Sequence, residues 1–265
     1  ETRRRRTPGH DWAIIRLGLP GTIRGIVIDT SYFTGNYPER ASLDACAVAG
    51  ELPSDPAWEP LLPPTHLEGN CANALAIEGP DRRVTHLRLN IFPDGGVARL
   101  RVHGEVVPDE QIFQQRGEVD LAALANGGLV ADCSDRHYGN PQNLLLPGHS
   151  THMGDGWETR RRRGPGHDWA IVRLARRGVV ARVELDTDYF KGNAPGSFML
   201  EDCDAGQSFD AGTARWEVLV PKTQLRPDAQ HRWEDLAARP TTHVRLNIYP
   251  DGGVARLRLF GRAES

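Results

Sequence analysis

The chain has 265 residues, a formal net charge of -3, 39% hydrophobic residues and 25% charged ones. That length suits one large or two small domains, and the composition is that of a folded globular chain and not of a disordered one. The charge balance argues against a dedicated nucleic-acid binder, and no apolar run approaches the roughly 18–20 residues of a membrane span. Four cysteines without a CxxC pair supply neither a disulfide framework nor a zinc site. We therefore expect a protein of the cytoplasm with no membrane and no nucleic acid among its partners. Lys191 and Lys222 are the only lysines, so 30 of the 32 basic residues are arginine; biased base composition accounts for this more readily than function does.

The first element is an arginine run, Arg3 to Arg6, followed by Pro-Gly-His-Asp-Trp at 8–12. It reads as a loop feeding a sheet edge, where binding groups are commonly mounted. His10 offers acid–base chemistry near neutral pH, and Asp11 is its neighbour in sequence without forming a dyad; a structural loop with Trp12 in the core is the plainer reading. Strands are predicted over 13–17 and 23–30. The second ends in Asp29-Thr30 and runs into a Gly35-Asn36 turn. Asp29 is either a carboxylate facing a pocket or an Asx-turn capping its own backbone.

Leu87, Leu89 and Ile91 alternate with His86, Arg88 and Asn90, a period-2 pattern. Pro93-Asp94-Gly95-Gly96 then supplies turn residues, and Ala98, Leu100 and Val102 resume the alternation, which predicts a β-hairpin. Its outer face, His86, Arg88 and Asn90, is either solvated or a polar floor on which an arginine fork holds a small anion. Residues 105–118 read as a linker. Asp120-Leu-Ala-Ala-Leu-Ala, with Gly127-Gly128 behind it, predicts a helix with Asp120 as N-cap. His149-Ser-Thr-His152 has an i, i+3 spacing, but Pro147 and Gly148 make it a loop and no metal-ligand set is visible. Cys46 and Cys203 read as small buried hydrophobes.

From Glu158 the chain repeats itself. ETRRRRTPGHDWAIIRL at 1–17 returns as ETRRRRGPGHDWAIVRL at 158–174, and THLRLNIFPDGGVARLRV at 85–102 returns as THVRLNIYPDGGVARLRL at 242–259. DTSYFTGN at 29–36 matches DTDYFKGN at 186–193. The period is a whole domain and not a solenoid unit. It gives 1–104 as one domain and 119–265 as a second. The stretch from EVDLAALANGG to DGWETRRRR has no counterpart ahead of Glu1, so the first copy reads as lacking its lead segment. The run Arg160 to Arg163 stands mid-chain, so neither arginine run is a targeting arm. Short strands with frequent turns predict an all-β chain of two duplicated antiparallel sandwiches or jelly rolls.

GWETRRRR-x-PGHDWAI-x-RL from Gly156, DTxYFxGN and NIYPDGGVARLR together resemble the allantoicase family, and Asn143-Leu-Leu-Leu-Pro-Gly is similar to it as well. The resemblance spans both repeats. It implies tandem jelly-roll domains of the galactose-binding-like type, a homo-oligomer, and hydrolysis of allantoate to ureidoglycolate and urea. It carries no catalytic assignment residue by residue. No cofactor is identified from the residues, and a divalent metal is compatible with the family. For this chemistry the expected acids, bases and water-positioning groups are His10, Asp11, Asp29 and His86 in the first repeat, and His167, Asp168, Asp186 and His243 in the second. Expected substrate-binding groups are Arg88, Asn90 and Asn36, with Arg245, Asn247, Arg160 and Asn193. The competing readings are a carbohydrate-binding module, a hydrolase or lyase acting on a neighbouring ureide such as ureidoglycolate, and nucleic-acid binding by the arginine runs. Aromatics are only 7% of the chain, which disfavours the platform that a glycan site uses.

Overall fold

A computed structural model describes residues 1–48, 51–108, 110–115, 117–205 and 209–264. It divides into two units, Glu1–Val107 and Pro108–Ser265. Each is an antiparallel β-sandwich. The boundary falls inside the stretch read as a linker. Glu105 and Val106 belong to a strand of the first unit, and a short helix α1 (Gln111–Gln115) packs Ile112 and Phe113 on the second core.

The first unit contains β1 (Asp11–Asp29), β2 (Arg40–Cys46), β3 (Glu59–His66), β4 (Ala72–Ala76), β5 (Val84–Phe92) and β6 (Arg99–Val106). The strand β1 serves two layers. Its first half, Asp11 to Arg16, pairs with β5, which continues to β2 and β3. The register breaks between Arg16 and Gly21, and the second half pairs with β4 and β6. Ala41, Leu43, Leu87, Leu89 and Ile91 from one layer and Ile26 and Ile28 from the other meet in one core.

The second unit contains β7 (Val119–Asp120), β8 (Leu129–Cys133), β9 (Trp157–Glu158), β10 (Asp168–Asp186), β11 (Ser197–Cys203), β12 (Glu217–Gln224), β13 (Gln230–Trp233), β14 (Pro240–Tyr249), β15 (Gly253–Val254) and β16 (Arg256–Ala263). The strand β10 is the counterpart of β1. Asp168–Arg173 lies between β14 and β8, and Gly178–Asp186 between β16 and β13. The inward residues Ala170, Val172, Val244, Leu246, Val183, Leu185, Leu257 and Leu259 form one buried cluster, joined by Leu144, Leu145 and Trp157 from the segment ahead of the repeat.

Two local expectations are corrected. The predicted hairpin is not one. β5 and β6 do not pair with each other but with opposite halves of β1, so Pro-Asp-Gly-Gly is an arch that carries the chain from one layer to the other. The expected helix after Asp120 is a single 3-10 turn, Leu124–Asn126, stopped by left-handed Gly127. Asp120 ends a strand, and its carboxylate accepts from the Ala122 amide and, across the sheet, from the Leu259 amide. Tertiary pairing thus overrides the local propensity.

The arch explains why DTxYFxGN and PDGGVARLR occur together. Phe190 is fully buried. A Cβ on Gly253 would stand 2.0 Å from its ring, and one on Gly96 would stand 2.1 Å from Phe33. The Gly253 amide donates to the Asn193 carbonyl at 2.8 Å, and Gly96 does the same to Asn36. Glycine is required there because the ring lies flat on the backbone. A Gly253→Ala variant is therefore expected to lose about 1–3 kcal/mol through overpacking, read from the urea midpoint of the second unit.

Candidate active site

The expected residues fall on two different surfaces of each sandwich. Alternation along β14 puts Val244, Leu246 and Ile248 inward, and His243, Arg245 and Asn247 outward. Glu201 on β11 stands opposite Arg245 and gathers this outer face. Its Oε2 accepts from Arg245 Nε at 2.8 Å and Asn247 Nδ2 at 2.9 Å. Asn247 Oδ1 meets His167 Nε2 at 2.9 Å, and His167 packs on Tyr249. Trp216 lies under the Arg245 guanidinium at 4.6 Å, and Phe209 stacks on His243 at 3.8 Å. The first repeat builds the same network with Asp44 in place of Glu201: Arg88 and Asn90 donate to Asp44 Oδ2, Trp58 lies under Arg88, and His10 packs on Phe92. His86 is buried and shares a hydrogen bond with Thr85. The outer face is therefore half-buried, with Arg88 and Arg245 keeping 33% and 27% of their side chains exposed, and its donors and acceptors are largely used by one another.

Asp168 belongs to the inward-facing register of β10 at the rim of the core. It is buried, pairs with Arg162 and accepts from Ser134 Oγ at 3.0 Å. Asp11 pairs with Arg5 in the same way. Asn193 donates to Glu158 and Asn36 to Glu1, so both asparagines tie the arginine run to the arch. Arg160 binds Asp135.

Asp186 stands apart from all of these. It ends β10 on the outer face of the other layer and lines a cavity of about 520 Å³ with Asp120, His149, Glu184, Gln230, Arg232, Arg256 and Arg258. β10 supplies Glu184 and Asp186, β13 supplies Gln230 and Arg232, and β16 supplies Arg256 and Arg258. The loop ahead of the repeat supplies His149. His149 Nδ1 lies 3.7 Å from Asp186 Oδ2, 4.0 Å from Asp188 Oδ2 and 3.0 Å from Gln230 Nε2. Arg256 is buried and fully engaged: it donates to the carbonyls of Gly148, Asp155 and Ala255 and to the Asp155 carboxylate at 3.0 Å. Its work is to hold the 148–155 loop, and with it His149, against the sheet. Arg258 donates one amino group to the Gly148 carbonyl at 2.6 Å and keeps its other Nη 3.7 Å from Asp120.

Burial and the neighbouring Asp188 charge push Asp186 up to about 6. Its twin Asp29 moves the other way. Hydrogen bonds from Ser31, and then Arg101, hold it below the usual carboxylate range, and the Ser31 amide donates to it at 2.9 Å. Both readings of this motif position are thus realised, the Asx-turn in the first repeat and the pocket carboxyl in the second. Burial is the larger part of the difference, and position 188 adds to it, because its counterpart is Ser31. His231 is held neutral: Nε2 accepts from the Arg226 amide, Nδ1 bonds the Leu185 carbonyl, and burial lowers it.

His149, Asp186 and Asp188 place one ligand atom each within 4.8 Å of one another, a donor set of the kind divalent cations take.

A family model for the allantoicase repeat matches residues 1–107 and again 119–264. A probable allantoicase of Nocardia farcinica (strain IFM 10152) is 52% identical over 268 residues, covering 98% of this chain and 79% of that protein. Probable allantoicase 2 of Burkholderia pseudomallei (strain K96243) is 49% identical over 268 residues, covering 98% and 80%. The crystal structure of allantoicase from Saccharomyces cerevisiae superimposes with a TM-score of 0.85 at 36% identity, covering 98% of this chain and 80% of that one. The chain belongs to the allantoicase family.

The allantoicase motifs that carried the resemblance build the arch, the outer-face network and the end of β10, which is why they recur in both repeats. Sequence reasoning missed His149 as a partner of Asp186, along with Asp188, Gln230 and Arg258. His149 was visible only as half of an i, i+3 pair with His152, whose carbonyl instead accepts from Ser150. The useful signal was the comparison of Ser31 with Asp188, a new carboxylate two residues from a repeated one.

His243 is pushed down to about 4 by burial and by Arg173. The unfolded imidazole binds its proton near 6.5, so between about pH 6.5 and 4 the unfolded chain holds the extra proton. Stability from this group is complete above that window and is lost as pH falls through it. A His243→Gln variant should flatten the acid-side slope by up to ~1.4 kcal/mol per pH unit, measured as the difference between the two urea-unfolding series from pH 7 to 4.5.

Proposed function

We infer that this chain hydrolyses allantoate to ureidoglycolate and urea in the breakdown of allantoin, with the cavity around Asp186 in the second repeat as its site. The allantoicase match over both repeats carries the reaction. The raised carboxyl of Asp186, beside His149 in a cavity lined with arginine, carries the assignment of the site.

Allantoate bears a carboxylate and two ureido groups on one carbon. Arg258, with Arg232 at the mouth, holds the carboxylate; charge-assisted bonds of this kind are worth roughly 1.5–3 kcal/mol each. Asp186 in its acid form gives its proton to the nitrogen of the departing ureido group. The C–N bond breaks with its electron pair on that nitrogen, and the lone pair of the remaining ureido nitrogen forms a C=N bond to the central carbon. Water then adds to that carbon. Its surplus proton goes to the Asp186 carboxylate, which restores the acid and balances the cycle. His149 and Gln230 orient the carboxyl and the entering water. Were His149, Asp186 and Asp188 to hold a divalent cation, it would supply polarisation of a ureido carbonyl in place of the proton transfer by Asp186. The outer-face residues His10, His86, His167 and His243, with the neighbouring Arg88, Asn90, Arg245 and Asn247, act in this reading through the rigidity of the sheet. We take the working enzyme to be a homo-oligomer in the cytoplasm, a location that suits its four unpaired cysteines; light scattering on a sizing column reads the oligomer.

Asp186→Asn should reduce kcat by about 10²–10⁴, while Arg258→Lys should raise KM for allantoate about tenfold or more. Allantoate should give one equivalent of urea with ureidoglycolate as co-product, whereas ureidoglycolate itself should not be consumed. In the wild type kcat/KM should fall as pH rises through about 6, the value to which Asp186 is raised. Unchanged turnover in Asp186→Asn, with loss in His167→Ala, would move the chemistry to the opposite face. Turnover should survive dialysis against a chelator; a loss reversed by a divalent cation would reassign the cluster from proton transfer to metal binding. An ionised Asp186 is a cost to the fold above pH 6, so Asp186→Asn should hold or gain stability at pH 7.5, by up to roughly 2 kcal/mol.

A further inference from the structure

The turn between β12 and β13, residues 225–229, is closed by a side chain that titrates, whereas its twin in the first repeat is closed by one that does not. In the first repeat Asn73 does the closing. Its Oδ1 accepts from the Glu68 amide at 2.8 Å, and its Nδ2 donates to the Ile28 carbonyl at 3.1 Å. In the second, His231 stands opposite Leu185 as Asn73 stands opposite Ile28. Its Nε2 meets the Arg226 amide at 3.0 Å and its Nδ1 the Leu185 carbonyl at 3.2 Å. The rest of the two turns matches. The Thr30 and Thr187 hydroxyls donate to the Glu68 and Arg226 carbonyls. Left-handed Asn70 and Asp228 accept from the Tyr32 and Tyr189 amides.

An amide N–H only donates and a carbonyl only accepts, so Nε2 is bare and Nδ1 carries the proton. A second proton has to go on Nε2, where the Arg226 N–H already points. The imidazolium and the closed turn therefore exclude one another. We propose that His231 is an acid-sensitive latch: neutral, it closes the turn; protonated, it releases the Arg226 amide. The closed turn binds one proton fewer than the open one, so it is lost as pH falls. The charged groups around the ring are Arg226 and Asp228 in the turn, Glu184 and Asp186 on either side of Leu185, and Arg232 next along β13. His149 and Arg258 line the cavity that the ring borders. Those of β10 and β13 belong to the outward alternation of their strands, while His231 shares the half-buried side with Trp233. Among the described residues no charged side chain is bonded to the imidazole. Burial and the Arg226 charge both oppose its protonation. Gln230 leads out of the turn and meets His149 Nδ1 at 3.0 Å and Asp188 at 3.3 Å. Opening thus loosens that wall of the Asp186 cavity. The latch rests on the hydrogen bonds of the turn and not on the catalytic reading of Asp186, so either can fail without the other.

The test is amide hydrogen exchange on the full chain from pH 7.5 to 4.5, corrected for the intrinsic rate at each pH. Protection at the Arg226 amide should fall about tenfold as pH drops, the loss of one hydrogen bond. The Glu68 amide, closed by Asn73, is the control within the same molecule and should keep its protection. His231→Asn, which installs the first repeat's arrangement, should remove the pH dependence at Arg226, and Asp186→Asn should leave it in place. Imidazole 15N shifts of the wild type check the same equilibrium without substitution: the Nδ1–H tautomer should convert to imidazolium in step with the loss at Arg226. Constant protection at Arg226, an equal loss at Glu68, a loss that persists in His231→Asn or vanishes in Asp186→Asn, or an imidazolium beside a protected Arg226 amide would each overturn the proposal.

Discussion

Each repeat is organised by one long strand that must satisfy its backbone in two layers. β10 hydrogen-bonds to β14 and β8 in its first half and to β16 and β13 in its second, with the register broken between Arg173 and Gly178. Every outward residue of the first half therefore faces away from every outward residue of the second, across a core of Val172, Val183, Leu185, Leu246 and Leu257. This separates His167 and its bonded partner Asn247 from Asp186. His167 and Asp186, 19 positions apart in sequence, thus end on opposite surfaces, and a single cradle made from all the motif residues is geometrically closed off within a repeat.

The duplication copied the scaffold more faithfully than the chemistry. The arch, the buried Phe190 on Gly253, the Arg245–Glu201–Asn247 network and the arginine run have counterparts in the first repeat, with Asp44 for Glu201 as a conservative exchange. At the Asp186 cavity the compared positions differ: Asp188 is Ser31 in the first copy, and Gln230 and Arg232 stand across β10 where Ala72 and Ala74 stand across β1. One carboxylate is consequently stabilised as an anion by hydrogen bonds and the other is driven toward its acid form by burial and a neighbouring like charge.

Within the second repeat the arginines divide their labour by burial. Arg256 spends its donors on Asp155 and loop carbonyls, so it fixes the position of His149 and has nothing left for a substrate. Arg258 gives one amino group to the Gly148 carbonyl and keeps the other 3.7 Å from Asp120, while Arg232 is paired with Glu234 at the mouth of the cavity. Residue type alone would have treated the three as equivalent.

The sequence by itself determined a good deal. Exact spacing between two long copies established the duplication, period-2 alternation located β5, β6 and β14, and composite motifs identified the family. These are local signals: alternation follows from the pleat, and repeats from comparison of letters. It did not determine that Pro-Asp-Gly-Gly arches between layers, since the same residues suit a hairpin and only the partners of the flanking strands decide. Nor did it reveal that His149 meets Asp186, because that contact depends on a loop tied down by Arg256 from the far end of the chain. Which of two aspartates in the same motif has its carboxyl pKa raised was likewise left to tertiary structure, since ionisation responds to burial and to charges that sequence distance does not measure.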